Sequence, residues 1–314
     1  MEGIPNGVRR EPQPKGRRAD TGVNPNGLRH APAGTPRAVP APPVVTWKLH
    51  REVVLLAGWG RAILMQLAHP LVAQGVADHS HFARDPRASV DRLRSTLRAM
   101  LTLTFGSDEE AQDVAARIVA IHDRVHGVVP MEPGRIAAGL SYSAHDPALL
   151  AWVHATLVDS FLATYELFVG DLTPDEGDRY CHEATRIEPM LGIPIGRLPR
   201  TRADLRSELA ARLDSAEIAV TDTARALARE IVNPRLPWPA RPLVPVARLP
   251  TIGMLPLSLR TAYGFPWSRR HDRALSLVAA ASRSVVPLVP PLLRHWPSAR
   301  RALARTRTGG ANSR

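Results

Sequence analysis

Residues 107–127 read SDEEAQDVAARIVAIHDRVHG, and their spacing decides the fold class. Ser107 followed by Glu110 is a capping box, in which each side chain satisfies the other's backbone N–H at a helix start. Ala111, Val114, Ala115, Ile118, Ile121, His122 and Val125 then recur at intervals of three and four, the period of a helix with one apolar face. Gly127 supplies the stop.

The same period extends in both directions. Val90, Leu93, Leu97, Met100, Leu101 and Thr104 mark a preceding helix over 91–104, which places Arg92 and Thr96 on one face. Asp146-Pro147 opens another that runs through Leu149, Leu150, Val153, His154, Leu157, Val158, Phe161, Leu162 and Tyr165, and Thr173-Pro174-Asp-Glu176 starts the next. Helical stretches follow over 202–213 and 221–232, the latter closed by Asn233-Pro234. A proline-rich connector over 234–250 precedes a last helical segment. Trp47 to Ala77 is nearly continuous apolar sequence and fits one or two buried helices. Its longest uncharged piece, Ala62 to Ala77, is shorter than the roughly 20 residues of a membrane span. Ala274 to Leu293, broken by Arg283, Pro287, Pro290 and Pro291, reads as a surface helix and a turn. No internal repeat or sustained alternating pattern is present. The expected fold is all-α, a single helical domain over 46–267. A Pro/Arg-rich tail, 1–45, has too little apolar surface to order, and 268–314 form a basic helical segment and tail.

The charge is distributed unevenly. The chain carries +12, but residues 1–45 hold 7 basic and 3 acidic groups and residues 268–314 hold 10 and 1. The intervening body has 24 basic and 25 acidic residues, so it offers no basic field for phosphate, and nucleic acid is excluded as a partner. The tails read first as solvated chain, with contact to an anionic membrane surface as the alternative their charge leaves open. No secretory signal is visible near the start, so a cytoplasmic location is expected. Cys181 is the only cysteine, which rules out an internal disulfide and any multi-cysteine metal site; packing is its ordinary role.

Chemistry must come from the histidines of the body: His69, His79, His81, His122, His126, His154 and His182. His122 projects from the apolar face of its helix, where a lone histidine is more often a hydrogen-bonded core residue than a ligand. His126 lies four residues on, and a helical pair at that spacing can share a metal. The HExxH glutamate is missing between them. Asp78, His79 and His81 form a short cluster that, with His69, offers a non-haem metal alternative. No GxSxG elbow, GxxxxGK[ST] loop or GxGxxG is present.

Several separated motifs occur in order: Gly60-Arg61-Ala-Ile-Leu-Met-Gln66-Leu-Ala-His69-Pro70, Val76-Ala-Asp78-His79-Ser80, Arg92-Leu-Arg-Ser-Thr96, Phe105-Gly106, Ile121-His122 and Trp152-Val-His154-Ala-Thr156-Leu-Val-Asp159. Together, over about 51–267, they make the chain resemble the family of fungal mpaB-type oxygenases and bacterial rubber oxygenases. That resemblance implies a haem b in a helical, partly globin-like core, with an apolar small molecule and dioxygen as reaction partners. It implies His122 as the proximal iron ligand, with His126 in reserve, and Arg92 and Thr96 as the cation and hydroxyl of the distal side; a propionate or surface ion pair is the other role open to Arg92. Asp78 stands upstream as a candidate base for an allylic proton. Rubber oxygenases can carry a lysine immediately before the threonine, where this chain has Ser95. The last lysine here is Lys48, so no lysine beyond it can cap the iron, and rubber is a less fitting substrate. A helical binding protein that keeps the scaffold without the oxygen chemistry is the non-enzymatic alternative.

Overall fold

The longest apolar helix organises the molecule, a computed structural model that describes residues 44–79, 86–131, 136–234 and 243–309, with backbone alone for 86–92, 243 and 307–309. Helix α6, Pro147–Phe168, starts where the Asp146 carboxylate accepts from the Ala148 amide at 2.8 Å and Pro147 occupies the first turn. Its apolar residues face nearly all directions, and Trp152, Phe161 and Phe168 are almost wholly buried. By length and composition α6 could cross a bilayer. Here it is the core helix around which the others pack, and its polar residues are absorbed locally. Ser160 and Thr164 donate to the carbonyls four residues earlier, at 2.7 and 2.6 Å, so neither hydroxyl needs an outside partner.

The expected run of buried helices over 47–77 resolves into α1 (Val44–His50), a 3-10 turn (Val53–Gly58), α2 (Trp59–Leu67) and α3 (Pro70–His79). Two glycines set how closely they approach. A Cβ on Gly58 would fall 2.0 Å from Thr164 Oγ1 of α6, and one on Gly60 would fall 2.4 Å from Thr251 Oγ1. Backbone therefore meets side chain directly at both crossings. Helix α4 (Pro86–Phe105) begins earlier than the periodicity indicates, with proline as its first residue. Helix α5 (Asp108–His122) carries the capping box as read, with Ser107 Oγ accepting from Glu110 N at 3.2 Å and Glu110 Oε2 from Ser107 N at 2.8 Å. It ends five residues before Gly127. Asp123 closes it, and the chain turns into a two-stranded hairpin, β1 (His126–Val128) and β2 (Ser141–Ser143), that no alternating pattern had announced.

Helices α7 (Pro174–Ala184), α8 (Glu188–Leu191), α9 (Arg202–Leu213) and α10 (Asp222–Val232) complete the shell on one side, α11 (Leu243–Gly253) and α12 (Leu257–Ala262) on another. Cys181 of α7 is buried among apolar residues that push its thiol up to about 12, as suits packing rather than reactivity. The C-terminal helices α13 (Arg269–Val285), α14 (Pro291–Arg294) and α15 (Pro297–Gly309) return to the start of the domain. Glu52, fully buried, accepts from Arg294 Nε at 2.7 Å, and His295 Nε2 lies 3.3 Å from its other oxygen. Ala299 and Ala302 of α15 pack with Phe105, beside Trp47 and Trp296, in a small second core. The fold is all-α, as the periodicity indicates. Residues 1–43, where a disordered tail is expected, lie outside the described residues.

Candidate functional site

The hairpin brings three of the sequence-predicted residues, Asp78, His79 and His126, together around Tyr142. Tyr142 sits in the middle of β2, opposite Gly127, and its hydroxyl end needs the space that Gly127 leaves, while Gly75 packs against its ring at ordinary contact distance. A Cβ on Gly127 would lie 2.6 Å from the Tyr142 hydroxyl, and one on Gly75 would lie 3.4 Å from its ring. The seated hydroxyl donates to Asp78 Oδ2 at 2.5 Å, while Gln74 Nε2 donates to Asp78 Oδ1 at 2.7 Å. His79 Nε2 lies 3.2 Å from the His126 carbonyl and 3.3 Å from the Tyr142 hydroxyl. Asp78 is thus a positioned carboxylate at the end of α3. Burial and the neighbouring Asp78 carboxylate hold the Tyr142 phenol well above its ordinary range, so it remains a donor to that carboxylate.

His122 is the last residue of α5, and its Nδ1 is shielded from solvent without a hydrogen-bond partner. Beside it, edge to face at 6.0 Å between ring centroids, lies His145, whose Nε2 is 2.8 Å from the Asp123 carboxylate. Burial lowers the His122 pKa, and His145 lowers it further against the opposing pull of Asp123. The ring is therefore neutral at pH 7 and has a lone pair to offer. His145 escapes the sequence reading because it lies in a loop with no helical period to place it; its only signal is proximity to the Asp146 cap.

His126 is not one helical turn beyond His122. Because α5 stops at His122, His126 opens β1, exposed, and its backbone carbonyl makes the contact described above. The two histidines therefore do not present a helical pair to one metal. Arg92 and Thr96 do lie four residues apart on one continuous helix, α4, with Thr96 exposed; the Arg92 side chain and His81 are outside the described residues. His69 is buried, and its Nδ1 accepts from the Leu71 amide at 3.2 Å. His182 is exposed on α7. Among the described residues no three of His, Cys, Asp and Glu converge as metal ligands, so His69, Asp78 and His79 are not drawn into the alternative non-haem site.

A second histidine group lies inside the bundle. His50 places Nδ1 3.0 Å from Thr104 Oγ1 and Nε2 2.7 Å from the Tyr180 hydroxyl, and His154 of α6 has Nε2 buried without a partner. Burial lowers His50 to about 3, with help from His154, and lowers His154 to about 4 against the opposing pull of Ala184 and Glu188. Both folded values lie below the unfolded value near 6.5. The stability they contribute is complete above that value and is lost as pH falls through the window from about 6.5 to about 4 for His154 and about 3 for His50. Thermal melts should therefore fall steeply between pH 6.5 and 4, by about 1.4 kcal/mol per pH unit per group. His154→Gln should flatten that slope; an unchanged slope would assign the acid lability elsewhere.

The fold and the site together define an all-α domain with a half-buried imidazole, His122, at the end of α5 beside His145 and Asp123, and, at the end of α3, a carboxylate, Asp78, held by a tyrosine. Residues 47–284 match the family described as ER-bound oxygenase mpaB/B′/Rubber oxygenase, catalytic domain, and the chain belongs to it, an oxygenase-type enzyme. It is also similar to uncharacterised proteins of Mycobacterium bovis and Mycobacterium tuberculosis. Each is 26% identical over 235 residues, spanning 73% of this chain and 87% of the relative. No solved structure matches.

Proposed function

We propose that the protein is a haem b-dependent oxygenase that uses dioxygen to attack an apolar small molecule, with His122 as the protein ligand to iron. The observation that carries this reading is the His122 ring: neutral, at the end of a capped helix, with a buried nitrogen that no protein group satisfies. A buried polar atom without a partner costs about 1–3 kcal/mol, a cost that a bonding partner for that nitrogen removes. A site with a single protein donor suits a porphyrin, which brings four nitrogens of its own. The residues present therefore fit the group.

When bound, the haem supplies the one-electron chemistry that dioxygen requires. The chain's own residues hold and orient. Asp123 fixes His145 edge-on to His122, which restricts how the His122 ring can rotate. Arg92 and Thr96, four residues apart on α4, are the candidate cation and hydroxyl, and Ser95 stands where rubber oxygenases can carry a lysine. Asp78 is the candidate base: Tyr142 and Gln74 hold its carboxylate, and a proton taken there is shared with the Tyr142 hydroxyl.

The test is a visible absorption spectrum of the protein purified from haem-supplemented cells, with iron and porphyrin quantified. A Soret band and about one haem per chain are expected for a single axial histidine site. Iron, manganese or zinc bound without porphyrin would replace this reading with a non-haem one.

A further inference from the structure

The C-terminal helices present a surface that oxygen chemistry does not use. Helix α13 packs through one face, where Ala279 is buried and the Ser282 hydroxyl donates to the Phe168 carbonyl at 2.8 Å. Helical spacing puts Leu277 on the opposite side, and it is 71% exposed. The chain then runs Val285-Val-Pro-Leu-Val-Pro-Pro-Leu-Leu293, nine residues with no polar side chain. Within it Val285, Leu288, Leu292 and Leu293 are all more than half exposed. So many exposed apolar side chains in one short stretch of chain are uncommon on a monomer and mark a contact.

Its frame has one sign. Arg269, Arg270, Arg273 and Arg301 are exposed, whereas Asp272 is the only acid between residues 268 and 309 and accepts from Trp267 Nε1 at 2.6 Å. Arg283 and Arg294, which bracket the apolar run, are held by Asp171 and Glu52 and so fix the run against the body. A second copy of this chain would bring an identical arginine array against the first, with only Asp272, engaged by Trp267, and Asp171, already paired with Arg283, to answer it. The chain's own first 43 residues, with 7 basic and 3 acidic groups, carry the same sign. Exposed leucines framed by arginines match the boundary between acyl chains and anionic headgroups.

We infer that α13, α14 and the apolar run between them seat the protein on an anionic lipid bilayer, with Leu277, Leu288, Leu292 and Leu293 in the acyl boundary and the arginines at lipid phosphates. The inference is independent of the haem reading, because none of these residues belongs to the site around His122.

Flotation of the full chain with vesicles tests it, using phosphatidylcholine alone and phosphatidylcholine mixed with phosphatidylglycerol. The protein is expected to float with the anionic vesicles, to float less as salt rises, and to stay behind with the neutral ones. Leu288→Asp/Leu292→Asp/Leu293→Asp changes only exposed side chains, so it should fold, with unchanged circular dichroism. It should weaken flotation roughly tenfold or more, since withdrawing even one leucine from an apolar phase has that effect. Absence of flotation with anionic vesicles would overturn the inference. Flotation that the triple variant leaves intact would do the same, by assigning binding to the arginine-rich chain ends. A dimer in sedimentation that the triple variant dissolves would make the surface a contact between copies, and would overturn it as well.

Discussion

His122→Ala is expected to give a folded protein that has lost its Soret band, the largest spectroscopic change of any single histidine substitution in this chain. The physical reason is that the imidazole is the sole protein donor in the proposed site and its buried nitrogen has no competing partner. Removing the ring opens a cavity, at a cost of about 1–3 kcal/mol, so haem content has to be measured on the folded fraction. His126→Ala is the matched control. That ring is exposed at the start of β1, and only its backbone carbonyl makes the contact to His79, which alanine preserves. Its band should persist. His145→Ala is expected to shift the band and leave haem bound, because His145 touches His122 edge-on and is anchored to Asp123. Added imidazole should restore part of the band in His122→Ala, since the pocket keeps the space and lacks only the donor. Bleaching by His126→Ala with retention in His122→Ala would reverse the assignment.

The helices were legible because their signals are local. Capping boxes at Ser107 and Thr173, proline at the first turn of α6 and α7, and three-and-four spacing are all short-range chemistry, and all appear where the sequence places them. The site was legible only in part. The apolar period through Val125 suggests that α5 continues to Gly127, yet the helix ends five residues sooner because the hairpin offers the backbone of 126–128 another set of partners, β2 at 141–143. A contact between segments separated by a loop leaves no trace in a local pattern. The same is true of Tyr142, which takes hold of Asp78 from 64 positions away, and of His145. Gly60 was visible as a motif letter without a reason, and Gly127 only as a helix stop. Their reason is distance: Gly60, like Gly58 before it, lies where a neighbouring threonine of α11 or α6 leaves no room for a Cβ, and Gly127 lies where Tyr142 does.

Arg61, the second residue of the Gly60-Arg61 motif, is expected to matter more to stability than to the cofactor, and Arg61→Met should lower the melting temperature by roughly 10 °C. Its side chain is buried, and each of three nitrogens has a different acceptor: Nε donates to the Met254 carbonyl at 2.7 Å, Nη1 to Ser160 Oγ at 2.6 Å and Nη2 to Asp159 Oδ2 at 2.6 Å. One planar fork thereby joins α2, α6 and the end of α11, the three elements that close around Gly58 and Gly60. Methionine matches the volume but leaves Asp159 and the Met254 carbonyl without their donor, and breaking a buried ion pair from one side costs about 3–5 kcal/mol. At roughly 2–4 °C per kcal/mol for a domain of this size, that gives the shift stated. Ser160 suffers least, because its hydroxyl already donates to the Thr156 carbonyl at 2.7 Å. Arg61→Lys should recover only part of the loss, since one ammonium cannot reach three divergent acceptors. Arg61→Met/Asp159→Asn should recover more than Arg61→Met alone, because it also removes the stranded charge. Haem per folded chain should stay unchanged throughout the series. Loss of haem from folded Arg61→Met at a melting temperature close to that of the parent would place Arg61 in the cofactor's surroundings instead of at this helix junction.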